Sequence, residues 1–477
     1  MSKHILYFMA ISFFGLVLRN AYAMTKDAIP ILEKLEKREV LHVSTPPFVK
    51  GKLPMGIRYY MLQDDTSKIV HIFAIFAGGG LYEPLEKKGL AAFTLALMRI
   101  GGAGRLSGDD IDKKLDELGS SVTLTDSGEY MLAELVCRSE YLKETMEIFL
   151  DILFTPRFEE NKFDLVKLQT LSSIKRREDS PSTLAKIGFS SVVYGKNSPW
   201  GAYPTTQTAD NISMEDVKEW HKRFFYPKNM ILAISGDFSK RFALHVLKSY
   251  DNYPSEVQSL PTLPEPTSYD AANLAVIDKD ITQSTVMIGH EGTSRYNPDK
   301  YALIVMNNIL GGAGFKSRLP SKIRVSEGLA YTVKSDYVFG PSEGAGLFYV
   351  TAATKNDTVY NAIKIAVSEI ESIKEKGVTA DELEASRSSI LNRLVFEYQT
   401  PHDTVFALAR FSFYGYPDNY FEEYANNIAK LTVNDVNNVA NKYLFPDKLK
   451  IVVVGPWNMI QPTLKGLGNV TLLSIDN

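Results

Sequence analysis

Two hydrophobic rhythms run along this chain: short unbroken apolar runs, and longer runs with apolar residues three and four apart. The run from Val70 to Ala77 is short, largely apolar and closed by Gly78, Gly79 and Gly80, which predicts a strand. Leu90 to Ile100 is apolar, rich in helix formers and free of proline, which predicts a buried helix. From Tyr141 to Leu153 the apolar residues Leu142, Met146, Phe149, Leu150 and Leu153 fall at helical spacing. Further on, Thr285 to Gly289 reads as a strand, Tyr301 to Leu310 as a helix, and Asp381 to Tyr398 as a long amphipathic helix. Strands followed by runs of helices predict α+β sandwiches with helices packed on one face of a sheet.

One stretch interrupts these patterns. Pro254, Pro261, Pro264 and Pro266 remove backbone donors and push their predecessors to extended geometry, so residues 251–269 read as a semi-rigid linker. The segments 212–236 and 431–455 on either side of it align without a gap. Each reads as a helix capped by Ser213 or Thr432, a turn at Pro227 or Pro446, and a buried strand ending at Gly236 or Gly455, with Asp216 and Asp435 at matching places. This pattern predicts a duplicated domain, with halves at 24–250 and 270–477. Ahead of the first half, Lys3 precedes a mostly apolar run from Ile5 to Leu18, and Ala21, Tyr22 and Ala23 follow as a small-x-small signature. Residues 1–23 therefore read as an export signal cleaved after Ala23, with an uncleaved anchor or a start at Met24 as the alternatives. The expected location is a bacterial periplasm or another exported compartment, with no stable membrane span after cleavage.

Composition narrows the chemistry. Hydrophobic residues make up 45% and charged residues 23%, as in a globular protein. With 53 Lys and Arg against 56 Asp and Glu, the net charge of −3 leaves no basic footprint for nucleic acid. The lone Cys137 excludes an internal disulfide framework and any Cys-rich zinc module, and reads as a small buried hydrophobe. None of the seven histidines lies three or four residues from another, so neither a zincin nor an inverzincin helix is present. There is no G-x-S-x-G elbow and no phosphate-binding P-loop; the glycine-rich stretch from Gly311 to Phe315 reads as a tight turn. His290 reads as a solvated strand end, His221 as a helix residue on an exposed polar face, and the charge run from Lys175 to Asp179 as a solvated helix face.

Two stretches nevertheless resemble a known family. The segment from Ala77 to Met98 is similar to the first motif of the insulinase/pitrilysin (inverzincin) metallopeptidases, where a strand and glycine turn lead into a helix bearing Gly-x-x-His-x-x-Glu-His. Gly89 and Ala91 match that motif, but Ala92, Leu95 and Ala96 stand in the places of His, Glu and His. Ser173 stands where the family's third zinc ligand, a glutamate on a later helix, belongs. The stretch from Leu310 to Leu319, followed by Lys322 to Tyr331, resembles the family's second signature, Arg-x-x-x-Gly-Leu-x-Tyr. Arg324 and Tyr331 match its Arg and Tyr.

The resemblance covers essentially the whole chain after residue 23 and implies a fold and a role. The implied fold is α+β: two homologous α/β-sandwich domains, as in mitochondrial processing peptidase and insulinase, facing each other across a cavity. With the zinc set replaced, it implies no cofactor bound by this chain. Retention of Arg324 and Tyr331 resembles the non-zinc-binding subunit of bacterial two-chain enzymes. The implied partner is a homologous H-x-x-E-H-bearing subunit holding the zinc, in a heterodimer acting on peptides or unfolded proteins. Arg324 and Tyr331 would bind substrate backbone and stabilise the oxyanion in trans. Other relatives of the family keep the fold without proteolysis, which makes a scaffold or interaction protein the alternative.

Overall fold

The computed structural model describes residues 45–248, 250, 259–266 and 273–475. The export signal expected over residues 1–23 and Pro254 of the linker lie outside the described residues. Two six-stranded sheets organise the described residues. The first is built from β1 (Val49–Lys52), β2 (Arg58–Gln63), β3 (Ile69–Ala77), β4 (Ser121–Asp126), β5 (Tyr130–Arg138) and β6 (Met230–Gly236), in the order β1-β2-β6-β3-β5-β4. The second contains β7 (Leu274–Asp278), β8 (Gln283–Glu291), β9 (Ala330–Val338), β10 (Leu347–Lys355), β11 (Lys450–Gly455) and β12 (Val470–Leu472), in the order β12-β7-β11-β8-β10-β9.

Five strands of each sheet follow one plan. β2 runs parallel to β6 as β7 does to β11, and the next three pairings in each sheet are antiparallel. The outermost strand beside β2 and β7 differs, β1 pairing antiparallel and β12 parallel. The segments 212–236 and 431–455 adopt the same local structure. In the helix Met214–Phe224 the Ser213 hydroxyl accepts the Asp216 N–H at 3.3 Å while Asp216 accepts the Ser213 N–H at 2.9 Å. Thr432 and Asp435 repeat this reciprocal cap on Val433–Tyr443, at 3.3 and 2.8 Å. Each cap satisfies a helix N–H that would otherwise lack a partner, which is why Ser or Thr followed three residues later by Asp recurs at both places.

Helices cover both faces of each sheet, one face more than the sequence pattern predicts. On one face of the first sheet lie α1 (Leu90–Ile100) and Leu142–Phe154, with α2 (Glu160–Arg176) packed against α1. The other face receives a helix from the other half. α3 (Pro181–Tyr194), from the first half, lies on β7, β8 and β11 of the second sheet, burying Leu184, Phe189 and Val192 against Ala275, Met287 and Val454. In the second half, α4 (Ala380–Glu397) stays with its own sheet's core, whereas α5 (Pro401–Tyr414) crosses to β2, β3 and β6. The close approach of α3 needs Gly188, where a Cβ would stand 2.8 Å from Ile277. Beneath α5, Phe73 and Phe406 stack at 4.7 Å and the rings of Tyr130 and Phe413 meet edge-on at 5.1 Å. An ion pair between the buried Arg295 and the half-buried Glu129 adds a further contact between the halves.

The expected helix from Tyr301 to Leu310 is α-helical only over Lys300–Asn307. It then widens into a π-helical turn at Asn308–Gly312. Two buried amides at the junction make polar contacts: Asn308 Oδ1 accepts from the Ser386 hydroxyl at 2.8 Å, and Asn307 reaches the carbonyl of Ser335 at 3.4 Å. Cys137 is 1% exposed, a small core residue as its isolation in the sequence suggests.

Candidate functional site

The entry to α1 is held by a buried carboxylate. Glu83 accepts the N–H groups of Gly89 and Ala91 at 2.9 and 2.6 Å, two of the unpaired donors at the helix start. Lys88, also buried, lies 3.7 Å from Glu83 and donates to the carbonyl of Gly80. Burial outweighs these favourable contacts and pushes the Glu83 carboxyl up to about 7.

On the α1 helix so positioned, Ala92 and Ala96 face solvent one turn apart while Leu95 is buried. α2 lies alongside, with the rings of Phe93 and Phe163 5.0 Å apart, and Ser173 is exposed on it. Two methyls, a core leucine and a lone hydroxyl do not make a zinc site, which needs three or four imidazole, thiolate or carboxylate donors. The residues present do not fit the metal. Among the described residues no group of three or more His, Cys, Asp and Glu is arranged to hold one.

The histidines read from sequence as solvated are buried. His221 is 6% exposed and its Nε2–H donates to the carbonyl of Leu153 at 2.8 Å. Within β8, His290 is 4% exposed; its Nδ1–H donates to the Glu291 carbonyl at 2.6 Å and its Nε2 accepts the Phe445 N–H at 3.2 Å. Both rings are thereby spent on backbone partners in the neutral form, and burial lowers each pKa to about 4. The expectation failed because sequence shows the polar ring and not the tertiary carbonyl waiting for it. The run from Lys175 to Asp179 is mostly solvated, although Glu178 pairs with Lys279 at 2.8 Å across the halves.

Arg324 and Tyr331 come together on the second half. Arg324 sits in a π-helical turn, Pro320–Ser326, and Tyr331 is the second residue of β9, the outermost strand of its sheet. Gly328, at a φ of 62°, makes the turn between them in a conformation that L side chains rarely adopt. The Arg324 guanidinium lies 5.2 Å from the Tyr331 ring centre and 4.4 Å from that of Phe315. Tyr331 is 73% exposed, so its hydroxyl is open to a molecule from outside the chain. Phe315, itself exposed, was not singled out as functional from the sequence; the signal was an aromatic ring directly after the glycine turn at Gly311–Gly314.

Comparison with known proteins now places the chain. Residues 59–197 match the family model described as insulinase (peptidase family M16), and residues 211–390 match the model described as the peptidase M16 inactive domain. The chain belongs to the insulinase family. Among its relatives, an uncharacterized zinc protease YmxG of Bacillus subtilis is 23% identical over 84% of this chain and 96% of the relative. A non-peptidase homolog YmxG of Helicobacter pylori is 25% identical over 80% of this chain and 88% of the relative. The insulinase-family fold is shared with a solved peptidase M16 inactive domain from Pseudomonas fluorescens, with a TM-score of 0.76, 22% identity, and coverage of 86% of this chain and 98% of that one. The periplasmic protease PqqL of Escherichia coli matches with a TM-score of 0.70 and 16% identity over 88% of this chain and 48% of its own. Among the described residues no helix is long and apolar enough to cross a membrane.

Proposed function

We propose that this insulinase-family chain is the non-zinc-binding subunit of an exported two-chain metallopeptidase. Its halves, residues 24–250 and 270–477 joined by the linker 251–269, form one side of a chamber. A homologous subunit carrying H-x-x-E-H forms the other side and holds the zinc. Arg324 and Tyr331 reach into the shared site and donate to the carbonyl of a peptide or unfolded-protein substrate. The observation that carries this reading is the pair itself: a guanidinium braced on two rings beside an open tyrosine hydroxyl, in a chain whose Ala92, Leu95, Ala96 and Ser173 leave the first-half site without metal ligands. A guanidinium and a phenol both donate without needing to titrate near neutral pH, as a developing oxyanion requires.

Co-purification with an H-x-x-E-H subunit and assay of peptide cleavage tests the reading. Arg324→Ala and Tyr331→Phe should each leave assembly intact and lower kcat by about 10²–10³-fold. Arg324→Lys keeps charge without the planar fork and should recover only part of the rate. The description of one relative as a non-peptidase homolog favours a second reading, a scaffold of the same fold. Full cleavage by both variants in the assembled pair, or no cleavage by any pairing, leaves the scaffold.

A further inference from the structure

Between α4, α5 and the following helix Tyr420–Lys430 lies a pocket of about 250 Å³. Seven of its lining residues are aromatic, with Tyr398, Phe411, Tyr414, Tyr420 and Tyr424 among them. The rings brace one another: Tyr398 meets Phe421 edge-on at 4.2 Å, Phe411 meets Tyr420 at 4.9 Å, and Tyr416 stacks on Tyr420 at 4.2 Å. The walls are therefore held in place by mutual packing before any ligand enters. A cavity of roughly 150 Å³ holds benzene, so this one has room for a single ring and a short substituent.

One wall residue is a cation. Arg410 of α5 lines the pocket, and its Nε is buried without a hydrogen-bond partner. Among the described residues it has no acidic partner, and its guanidinium rests 5.4 Å from the ring centre of Phe406. The other charges at the pocket are compensated or reinforce it. Glu397 is paired with Arg393 at 3.2 Å, and the buried Lys300 Nζ stands behind the wall, 4.3 Å from the Tyr416 ring. A half-buried guanidinium without an acidic partner, set among aromatic faces, is complementary to an anion carried on an aromatic ring.

We propose that this pocket binds a small aromatic monocarboxylate, with its ring among the tyrosines and its carboxylate on Arg410. The site lies apart from Arg324 and Tyr331 and does not depend on the two-subunit reading. It sits at the base of α5, whose Phe406 and Phe413 pack on the first sheet, so a ligand there stabilises the seam between the halves.

Titration calorimetry and thermal unfolding on the full chain test the proposal, with 3-phenylpropionate as the probe and its neutral amide as the control. For a ligand of this size a Kd on the order of 1 mM or tighter is expected. The acid should bind roughly 10-fold or more tightly than the amide and should raise Tm more. Arg410→Leu should abolish that preference, and Arg410→Lys should keep part of it. Equal binding of acid and amide to the unaltered chain would overturn the proposal, as would no binding of either at about 10 mM, tenfold above the expected Kd. An Arg410→Leu protein that folds and still prefers the acid would overturn it too. The comparison of acid with amide decides the matter without any variant, should Arg410→Leu fail to fold.

Discussion

His290 turns acidity into instability, by an amount that follows from its surroundings. Both ring nitrogens are engaged in the neutral form, Nδ1–H donating to the Glu291 carbonyl and Nε2 accepting from the Phe445 amide. Protonating Nε2 would set N–H against N–H in a site lined by the rings of Phe348 and Phe445. Burial accordingly lowers its pKa from 6.5 to about 4. The unfolded chain binds this proton at a higher pH than the folded one, so stability is fully present above pH 6.5 and lost as pH falls towards 4. At 1.36 kcal/mol per pKa unit, the loss is about 2 kcal/mol between pH 7 and pH 5 and roughly 3 kcal/mol by pH 4. Glutamine at this position keeps a donor and an acceptor but cannot take up the proton. Urea unfolding of the natural chain and of His290→Gln at pH 7 and pH 5, at constant ionic strength, measures the difference. His290→Gln should be less stable at pH 7, yet its loss on acidification should be smaller by about 2 kcal/mol. Equal losses in the two proteins would show that His290 is not held neutral, and the reasoning from its hydrogen bonds would fail.

Two further outcomes follow from the first half. Glu83, with its carboxyl pushed up to about 7, acts with the opposite sign: the folded chain holds the proton that the unfolded one releases near 4.5, so stability falls as pH rises from 4.5 to 7. Glu83→Gln should remove roughly 3 kcal/mol of that fall, read from the same urea series. Because Ala92, Leu95, Ala96 and Ser173 supply no ligand set, elemental analysis after mild chelation should find no stoichiometric zinc in the purified chain, and one zinc per chain would contradict the site described above.

The legible part of the fold was what local pattern determines. Strand β3 and helix α1 stand where their apolar runs put them, because an unbroken apolar stretch is buried in either form and its length and flanking glycines choose between the two. The repeat was visible because a reciprocal helix cap and a proline turn leave sequence marks. What depends on distant partners was not visible. Nothing in α5 announces that Phe406 will meet Phe73, more than three hundred residues earlier, rather than its own sheet. His71 and His402 likewise stack at 4.6 Å across that seam, a pairing that their distance along the chain does not announce. At the candidate site, Arg324 and Tyr331 were found by resemblance, and the placing of the Arg324 guanidinium against both Phe315 and Tyr331 emerged only from the turn that Gly328 makes.

The crossing of α3 and α5 has a consequence for how the chain comes into being. A ribosome delivers the first sheet complete by Gly236, but the helix that closes its second face ends only at Tyr414. Throughout that interval of synthesis Phe73 and Tyr130 lack Phe406 and Phe413, while α3 waits for β11, which ends at Gly455. Contacts so far apart in sequence are slow to form, and an apolar sheet face left open meanwhile is a surface on which nascent chains stick to one another. Neither half is a module that evolution or a cloner can lift out whole, since each takes part of the other's core with it. The two helices therefore dock late and at different points, α5 after Tyr414 has emerged and α3 once β11 is complete at Gly455.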